Sequence, residues 1–360
     1  MEENKRIPTK DGIKGMIYGH CLGDAVGLIT EFKHKIDKRR IIYPYFGKIR
    51  DWHDGDWTDD SDQMILLMNL ISEDDLCATS FARDLKSWVR NGFPELGDTA
   101  GFGVGGSISN VVGNDDFEKD PLVVSKKFWE DSGKCIAPNG SLMRTSILSV
   151  IPDSKKMIKM STEISQVTHF DPRCVICCRC LNIILKELLL GTDPALLLDF
   201  VRFYGIRYLE GNVAKKNKME KVRGIPEKWI NPKYVKGEEY DYISEFVDCF
   251  NIDDPSELKL DELPNIGYVY KCFSCAVFAL KIIVLDNLEE RPVFISFSSF
   301  IVTLAGECGD ADTNCAVAGA VLGAYLGYDR LPRKWIKGPP NRKWLNKKID
   351  LLLEKLSIEE

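Results

Sequence analysis

GIKGMIYGHCLGDAVGL, residues 12–28, reads as an apolar helix with Gly15, Gly19, Gly23 and Gly27 at strict four-residue spacing. A glycine inside a helix costs about 1 kcal/mol relative to alanine. A stripe of four makes sense only where another backbone must approach one face closely. A second such segment stands near the other end of the chain: NCAVAGAVLGAYLGY, residues 314–328, with Gly319, Gly323 and Gly327 again four apart. Stripes of this kind also pack helices inside membranes. No run of 18 apolar residues occurs here, however, so no membrane span is expected. The two glycine helices are expected to pack on one another or around one centre, which brings the front and back of the chain together.

Two acidic clusters accompany these helices. WTDDSDQM, residues 57–64, sets Thr58 beside Asp59 and Asp60; GECGDADTNC, residues 306–315, sets Thr313 beside Asp310 and Asp312. Each stands where a polar loop gives way to an apolar helical run. Either cluster alone reads equally as helix N-cap acids, a place where Asp and Thr are common. Brought together, they supply four carboxylates and two hydroxyls around one point. Like charges at that spacing need a neutralising cation. All-oxygen ligation suits Mg²⁺ or Mn²⁺ rather than zinc or copper.

At 360 residues with 44% hydrophobic content, the chain can bury a large core. A net charge of -6 argues against general nucleic-acid binding, which shows a basic domain. Twelve cysteines lie scattered among apolar neighbours, and MEENKRIPTKDG is polar with no apolar leader core. A reducing cytoplasm is expected, with thiols acting as small buried hydrophobes.

Helical periodicity dominates the rest. Helices are predicted over 63–71, 80–90, 123–131, 157–167, 173–190, 195–204, 240–250, 268–285 and 294–305; one short strand is predicted over 41–45. The fold class is all-α. Residues 207–264, rich in Lys, Glu, Pro and Gly, read as a surface insertion within a single domain spanning 1–332. Residues 333–360 read as a basic loop and a short amphipathic helix packed on its outside.

Six blocks now combine: GMIYGHCLGDAVG (15–27), WTDDSDQMILLM (57–68), PNGSLMRTSIL (138–148), THFDPR (168–173), GYVYKCF (267–273) and AGECGDADTNCAVAGAVLGAYLGY (305–328). In this order they resemble the signature blocks of the ADP-ribosylglycohydrolase family, which includes dinitrogenase-reductase-activating glycohydrolase and ADP-ribosylhydrolases. The resemblance implies a single-domain orthogonal helical bundle, two Mg²⁺ (or Mn²⁺) ions, and hydrolysis of the glycosidic bond joining ADP-ribose to a side chain. It implies metal ligation by Thr58, Asp59, Asp60, Asp310, Asp312 and Thr313, with Glu31 close to the metals as acid or base and Asp98 near the scissile bond. Asp24 is expected to orient a ligand from within its helix. Asn139, Gly140, Ser141 and Met143 match the nucleotide-contacting loop, and their Pro-Asn-Gly turn ahead of a helix also suits a diphosphate. Ser107 in the glycine-rich stretch, His169 and Tyr268 are further substrate-contact candidates. A core role for His169 or Tyr268 stays open.

Three motifs admit a second reading. Gly101, Gly103 and Gly106 satisfy GxGxxG, but no predicted strand precedes them, which excludes a dinucleotide fold. His20, within the first glycine helix, reads as packed. Cys174/Cys177 and Cys272/Cys275 form two CxxC pairs, yet both lie in apolar helical runs rather than in the turns of a zinc knuckle, so core packing is favoured over structural zinc. The expected function is release of ADP-ribose from ADP-ribosylated side chains or related conjugates. Arginine is slightly favoured because Asp98 and Glu95 suit a guanidinium. The expected partner is an ADP-ribosylated protein or small molecule, and a monomer is expected. The alternative is a catalytically silent ADP-ribose-binding module.

Overall fold

The computed structural model describes residues 7–36, 38–45, 49, 52–212, 241–288 and 296–358. Its helices in chain order are α1 Lys10–Gly27, α2 Asp59–Ser72, α3 Ala78–Asn91, α4 Gly106–Val112, α5 Pro121–Asp131, α6 Ser154–Gln166 and α7 Pro172–Leu189. There follow α8 Pro194–Asn212, α9 Tyr242–Asp248, α10 Val269–Leu288, α11 Phe297–Ala305, α12 Ala311–Leu326, α13 Arg333–Ile336 and α14 Arg342–Lys355. Among the described residues there is no strand, only isolated bridges at Ile49–Trp52 and Pro138–Tyr268. The fold is an all-α bundle.

At its centre α1 and α12 lie antiparallel, with Gly15 facing Gly323, Gly19 facing Gly319, Gly23 facing Cys315 and Gly27 facing Ala311. A methyl group added at Gly19 or Gly23 would fall on the carbonyl oxygen of Gly319 or Cys315, well inside van der Waals contact. Nearly every residue of both helices is buried. This is the close approach for which the two stripes select. Its consequence is geometric: antiparallel packing puts the C-terminal end of α1 beside the N-terminal end of α12, so Glu31 meets Asp310 and Asp312. Helices α10 and α11 flank α12, while α7 packs on α6, α8 and α10.

The predicted helices all occur, most with ends moved by a few residues; the one predicted over 195–204 runs on to Asn212. The short α4 was not foreseen, since seven residues after a glycine run carry little periodicity. The predicted strand at 41–45 is irregular chain. Tyr43 turns inward onto Trp335 and donates its hydroxyl to the Gly55 carbonyl at 2.8 Å, and among the described residues no strand offers it a pairing edge. Of the 207–264 stretch, residues 213–240 lie outside the described residues. Its flanks are structured: residues 207–212 complete α8, while Tyr242, Phe246, Leu258 and Leu260 are buried. At the other end, α14 seats Leu345, Ile349, Leu352 and Leu353 against the body and packs on α2.

The cysteines of α7 and α10 are core groups. Cys174, Cys177, Cys178, Cys180, Cys272 and Cys275 have no exposed surface. Cys174, Cys180, Cys272 and Cys275 each direct the thiol at a backbone carbonyl, as Cys174 does at Pro138 (3.3 Å). Burial pushes their ionisation upward, which keeps them as thiols. No described helix is long and apolar enough to cross a membrane.

Candidate active site and metal centre

The site is built where α1 ends and α2 and α12 begin. Asp24, wholly buried in α1, accepts the Thr58 N–H (3.0 Å), the Ser61 N–H (3.0 Å) and the Ser61 hydroxyl (2.6 Å). A carboxylate placed on a helix N-terminus satisfies donors that have no intrahelical partner. It thereby clamps the first turn of α2, with Asp59 and Asp60, onto the α1–α12 pair. Burial raises the pKa of Asp24 to about 6, against the hydrogen bonds that hold it down.

Asp59, Asp60, Asp310, Asp312, Glu31 and Thr313 line one pocket of about 300 Å³. Glu31, Asp310 and Asp312 can each bring a carboxylate oxygen within 4.8 Å of the others, the one such group among the described residues. Burial, then neighbouring carboxylates, push Asp59, Asp60 and Asp312 well above the ordinary range. Asp310 is raised by burial and steadied by the Asn139 amide, 2.6 Å away. Asp60 Oδ1 is buried with no hydrogen-bond partner. An unpartnered carboxylate oxygen among four other acids is an environment that a hard cation would suit. The donor set, all oxygen, fits Mg²⁺ or Mn²⁺.

The remaining candidates separate by position. Ser107, Asn139, Gly140, Met143 and His169 line the same pocket. Thr58 lies behind it, donating its hydroxyl to Asp60 Oδ2 at 2.9 Å. Ser141 points away into the core, where it accepts from Ser165 (3.0 Å) and meets Cys178, because the single 3₁₀ turn Asn139–Ser141 rotates successive side chains by about a third of a turn. Tyr268 lines an adjoining cleft with Arg173 and Asn265, and its hydroxyl donates to Glu245 at 2.6 Å. His20 is packed, its Nδ1 against the Ser146 hydroxyl.

Asp98 lines a second cavity, of about 240 Å³, together with Asp56, Asp62, Trp57 and Phe102. Trp52 borders both cavities. Asp62 accepts the indole N–H of Trp57 (2.8 Å) and of Trp88 (3.2 Å). Asp56 is raised to about 7, by burial first and then by Asp24 and Asp98. Gly103 adopts φ +86 next to Asp59 and Trp52, where a side chain would strike the Asp59 carboxylate. That contact explains one glycine of the GFGVGG run. The sequence reading missed Asp56, Asp62 and Trp52 as cavity walls. Asp62 and one of its indole partners, Trp57, stand together in WTDDSD, but Trp88 reaches it from 26 residues along the chain.

A model of the ADP-ribosylglycohydrolase family matches residues 5–359. The chain belongs to the ADP-ribosylglycohydrolase family. It is 23% identical over 330 residues to the ADP-ribosylarginine hydrolase Tri1 of Serratia proteamaculans, covering 91% of this chain and 74% of that protein. The Pseudomonas putida Tri1 is 22% identical over 331 residues, with the same coverage. An uncharacterized protein of Archaeoglobus fulgidus is 24% identical over 365 residues, covering 96% of this chain and 97% of its own. A solved chain titled as an ADP-ribosylglycohydrolase-related protein complex superposes with a TM-score of 0.65 at 18% identity, over 98% of this chain and 99% of that one. The described residues thus share the helical architecture of that solved chain.

Proposed function

We propose that this ADP-ribosylglycohydrolase is a metal-dependent hydrolase that cleaves the bond between ADP-ribose and a modified side chain, with arginine the favoured linkage. The observation that carries the reading is the convergence of five carboxylates on one pocket with an oxygen of Asp60 left unpartnered. Asp59, Asp60, Asp310 and Asp312 would hold two Mg²⁺ or Mn²⁺ ions with the Thr313 hydroxyl, Glu31 would sit beside them, and Thr58, behind the pocket, would reach the ions only by turning its hydroxyl from Asp60. When bound, such ions neutralise the acids and make a water or ribose hydroxyl more acidic.

The chain's own groups supply the rest. Glu31, at the pocket wall, is placed to take a proton from water as its oxygen attacks the anomeric carbon. The bond to the leaving nitrogen breaks in the same displacement, and that nitrogen recovers a proton. The surrounding carboxylates favour the oxocarbenium-like transition state. Asn139, Gly140, Met143, His169 and Ser107 line the same pocket, and we assign that wall to the ribose-diphosphate end. Ser141 and Tyr268 support that wall from the core and the adjoining cleft. We assign Asp98, with Asp56 and Asp62, to the leaving group. Three carboxylates among aromatic rings, across Trp52 from the main pocket, suit a planar guanidinium. The two Tri1 relatives, named as ADP-ribosylarginine hydrolases, support the same choice.

The test is incubation with peptides carrying ADP-ribosylarginine or ADP-ribosylserine and with acetylated ADP-ribose, read by mass spectrometry. Release of ADP-ribose from the arginine peptide is expected with Mg²⁺ or Mn²⁺, and its loss with chelator, in Asp59→Ala and in Asp312→Ala. Undiminished turnover without metal overturns the proposal. Tight ADP-ribose binding with no turnover of any of the three would mark a binding module instead.

A further inference from the structure

Behind the pocket lies a buried cation that the proposed chemistry does not use. Arg144 has no exposed surface and rests 4.8 Å over the Phe81 ring. Its Nη1 donates to Gln63 Oε1 (3.0 Å), and Gln63 Nε2 donates to Asp59 Oδ2 (3.0 Å). Its Nη2 donates to the Ile164 carbonyl (3.0 Å) and to the Thr168 hydroxyl (2.7 Å). Thr168 Oγ1 in turn lies 2.7 Å from His169 Nδ1. One guanidinium thus reaches both walls of the pocket, each through a single intermediate side chain.

We propose that Arg144 is a positioning residue for this site: through Gln63 it orients Asp59, and through Thr168 it fixes His169 as the Nε2–H tautomer, presenting an N–H donor to an oxygen of the bound ligand. The protons can be counted. A guanidinium only donates, so Gln63 must turn its carbonyl oxygen to Arg144 and its NH₂ to Asp59. The flipped amide would set N–H against N–H on one side and oxygen against carboxylate on the other. Thr168 likewise must accept from Arg144, which leaves its single hydroxyl proton for His169 Nδ1. If Nδ1 carried the proton instead, the Thr168 hydroxyl hydrogen would be buried with nothing to receive it, which is costly.

Nδ1 is therefore the acceptor and Nε2 carries hydrogen. The ring edge at Nε2 faces the Gly140 turn, where a methyl group on Gly140 would come within 3.1 Å of that nitrogen. Among the described residues no protein group takes Nε2, and His169 lines the pocket. Burial, followed by the charge of Arg144, holds its pKa well below the usual range, consistent with a neutral ring that donates. His169 then serves as a fixed polar contact and not as a proton shuttle.

The tautomer is read on ligand-free protein by imidazole ¹⁵N–¹H correlation spectra of the ¹⁵N-histidine-labelled full chain, which has four histidines. The His169 signals are identified by their loss in His169→Asn. Wild type is expected to show Nε2–H with an unprotonated Nδ1. Thr168→Val is expected to give mixed tautomers and an ADP-ribose affinity about tenfold lower, the scale of one lost charge-assisted contact. Thr168→Ser restores both. Arg144→Lys, which offers one donor head in place of a fork, reproduces the Thr168→Val spectrum. If Arg144→Lys fails to fold, the Val and Ser pair decides. An Nδ1–H ring in wild type, or an unchanged tautomer in Thr168→Val, overturns the proposal. The affinity arm rests on the function proposed above. If wild type binds no ADP-ribose, that function fails while the tautomer result stands on its own.

Discussion

Gly23→Ala is the perturbation that separates packing from propensity. In isolation the change should stabilise helix α1 by about 1 kcal/mol. In the fold, the new methyl lands on the Cys315 carbonyl and 3.0 Å from the Ala316 nitrogen, both backbone atoms that cannot swing aside. Carbon and carbonyl oxygen approach no closer than about 3.3 Å, so α1 and α12 must part by roughly an ångström there. Overpacking of this kind costs about 1–3 kcal/mol, and more when the obstacle is rigid. The steric cost exceeds the propensity gain, and a net loss of about 2 kcal/mol is expected. The separation also shifts Asp24, the next residue, which clamps α2 through Thr58 and Ser61, so cation affinity should fall with stability. Gly12→Ala is the control on the same helix. Its methyl would crowd the side-chain ends of Thr9 (3.1 Å) and Leu189 (3.2 Å) and meet backbone only at an ordinary 3.8 Å, the Ala324 carbonyl, and stability within about 1 kcal/mol of wild type is expected. The assay is urea unfolding followed by circular dichroism, with Mn²⁺ binding measured on the same samples. A Gly23→Ala protein that unfolds at or above the wild-type urea midpoint would refute the packing argument.

Three further outcomes follow. Without cation, Asp59, Asp60, Asp310 and Asp312 have folded pKa values raised by burial and mutual charge. Their contribution is most favourable below the ordinary carboxylate pKa, about 4, and is lost as pH rises through the raised values. The gain in melting temperature on adding Mg²⁺ or Mn²⁺ should therefore grow from pH 5 to pH 8. An equal gain at both would contradict the cluster. His20, lowered to about 4 by burial, contributes stability present above about 6.5 and lost as pH falls toward 4; it acts alike with and without cation and cancels in that difference. For the leaving-group cavity, Asp56→Asn and Asp98→Asn should raise KM for an ADP-ribosylarginine peptide by about tenfold or more while leaving ADP-ribose affinity within about twofold. Parallel loss of both would move those residues out of the cavity role. Gly205→Ala, whose methyl would strike the Phe246 ring, should destabilise the α8–α9 contact by about 1–3 kcal/mol in urea unfolding without changing cation binding.

The centre of the fold was legible because its signal is an expensive one. Glycines repeated at helical spacing are costly unless a second backbone lies against them, and Gly15–Gly27 with Gly319–Gly327 pointed to such a contact between the two ends of the chain. The acids were legible for a similar reason, since TDD and DADT place more charge than a helix cap needs. What the sequence hid is side-chain direction. Ser141 and Gly140 are adjacent in one motif, yet one faces the core and the other the pocket. Asp98 and Phe102 belong to a cavity whose other wall holds Asp56 and Trp57, a segment brought there by tertiary packing. The Arg144 network was equally hidden: nothing in PNGSLMR names the partners of its arginine, and only the packing of α2 and α6 brings Gln63 and Ile164 to it beneath the site. The strand expected at 41–45 failed because alternation alone cannot supply a partner edge.

The most direct measurement is a Mn²⁺ titration of chelator-treated protein followed by electron paramagnetic resonance of the free ion. Two bound ions per chain are predicted, with binding abolished in Asp312→Ala and in Asp59→Ala while both variants remain helical. Absence of Mn²⁺ binding by the wild-type chain, or full retention in both variants, would contradict a metal centre built from these carboxylates.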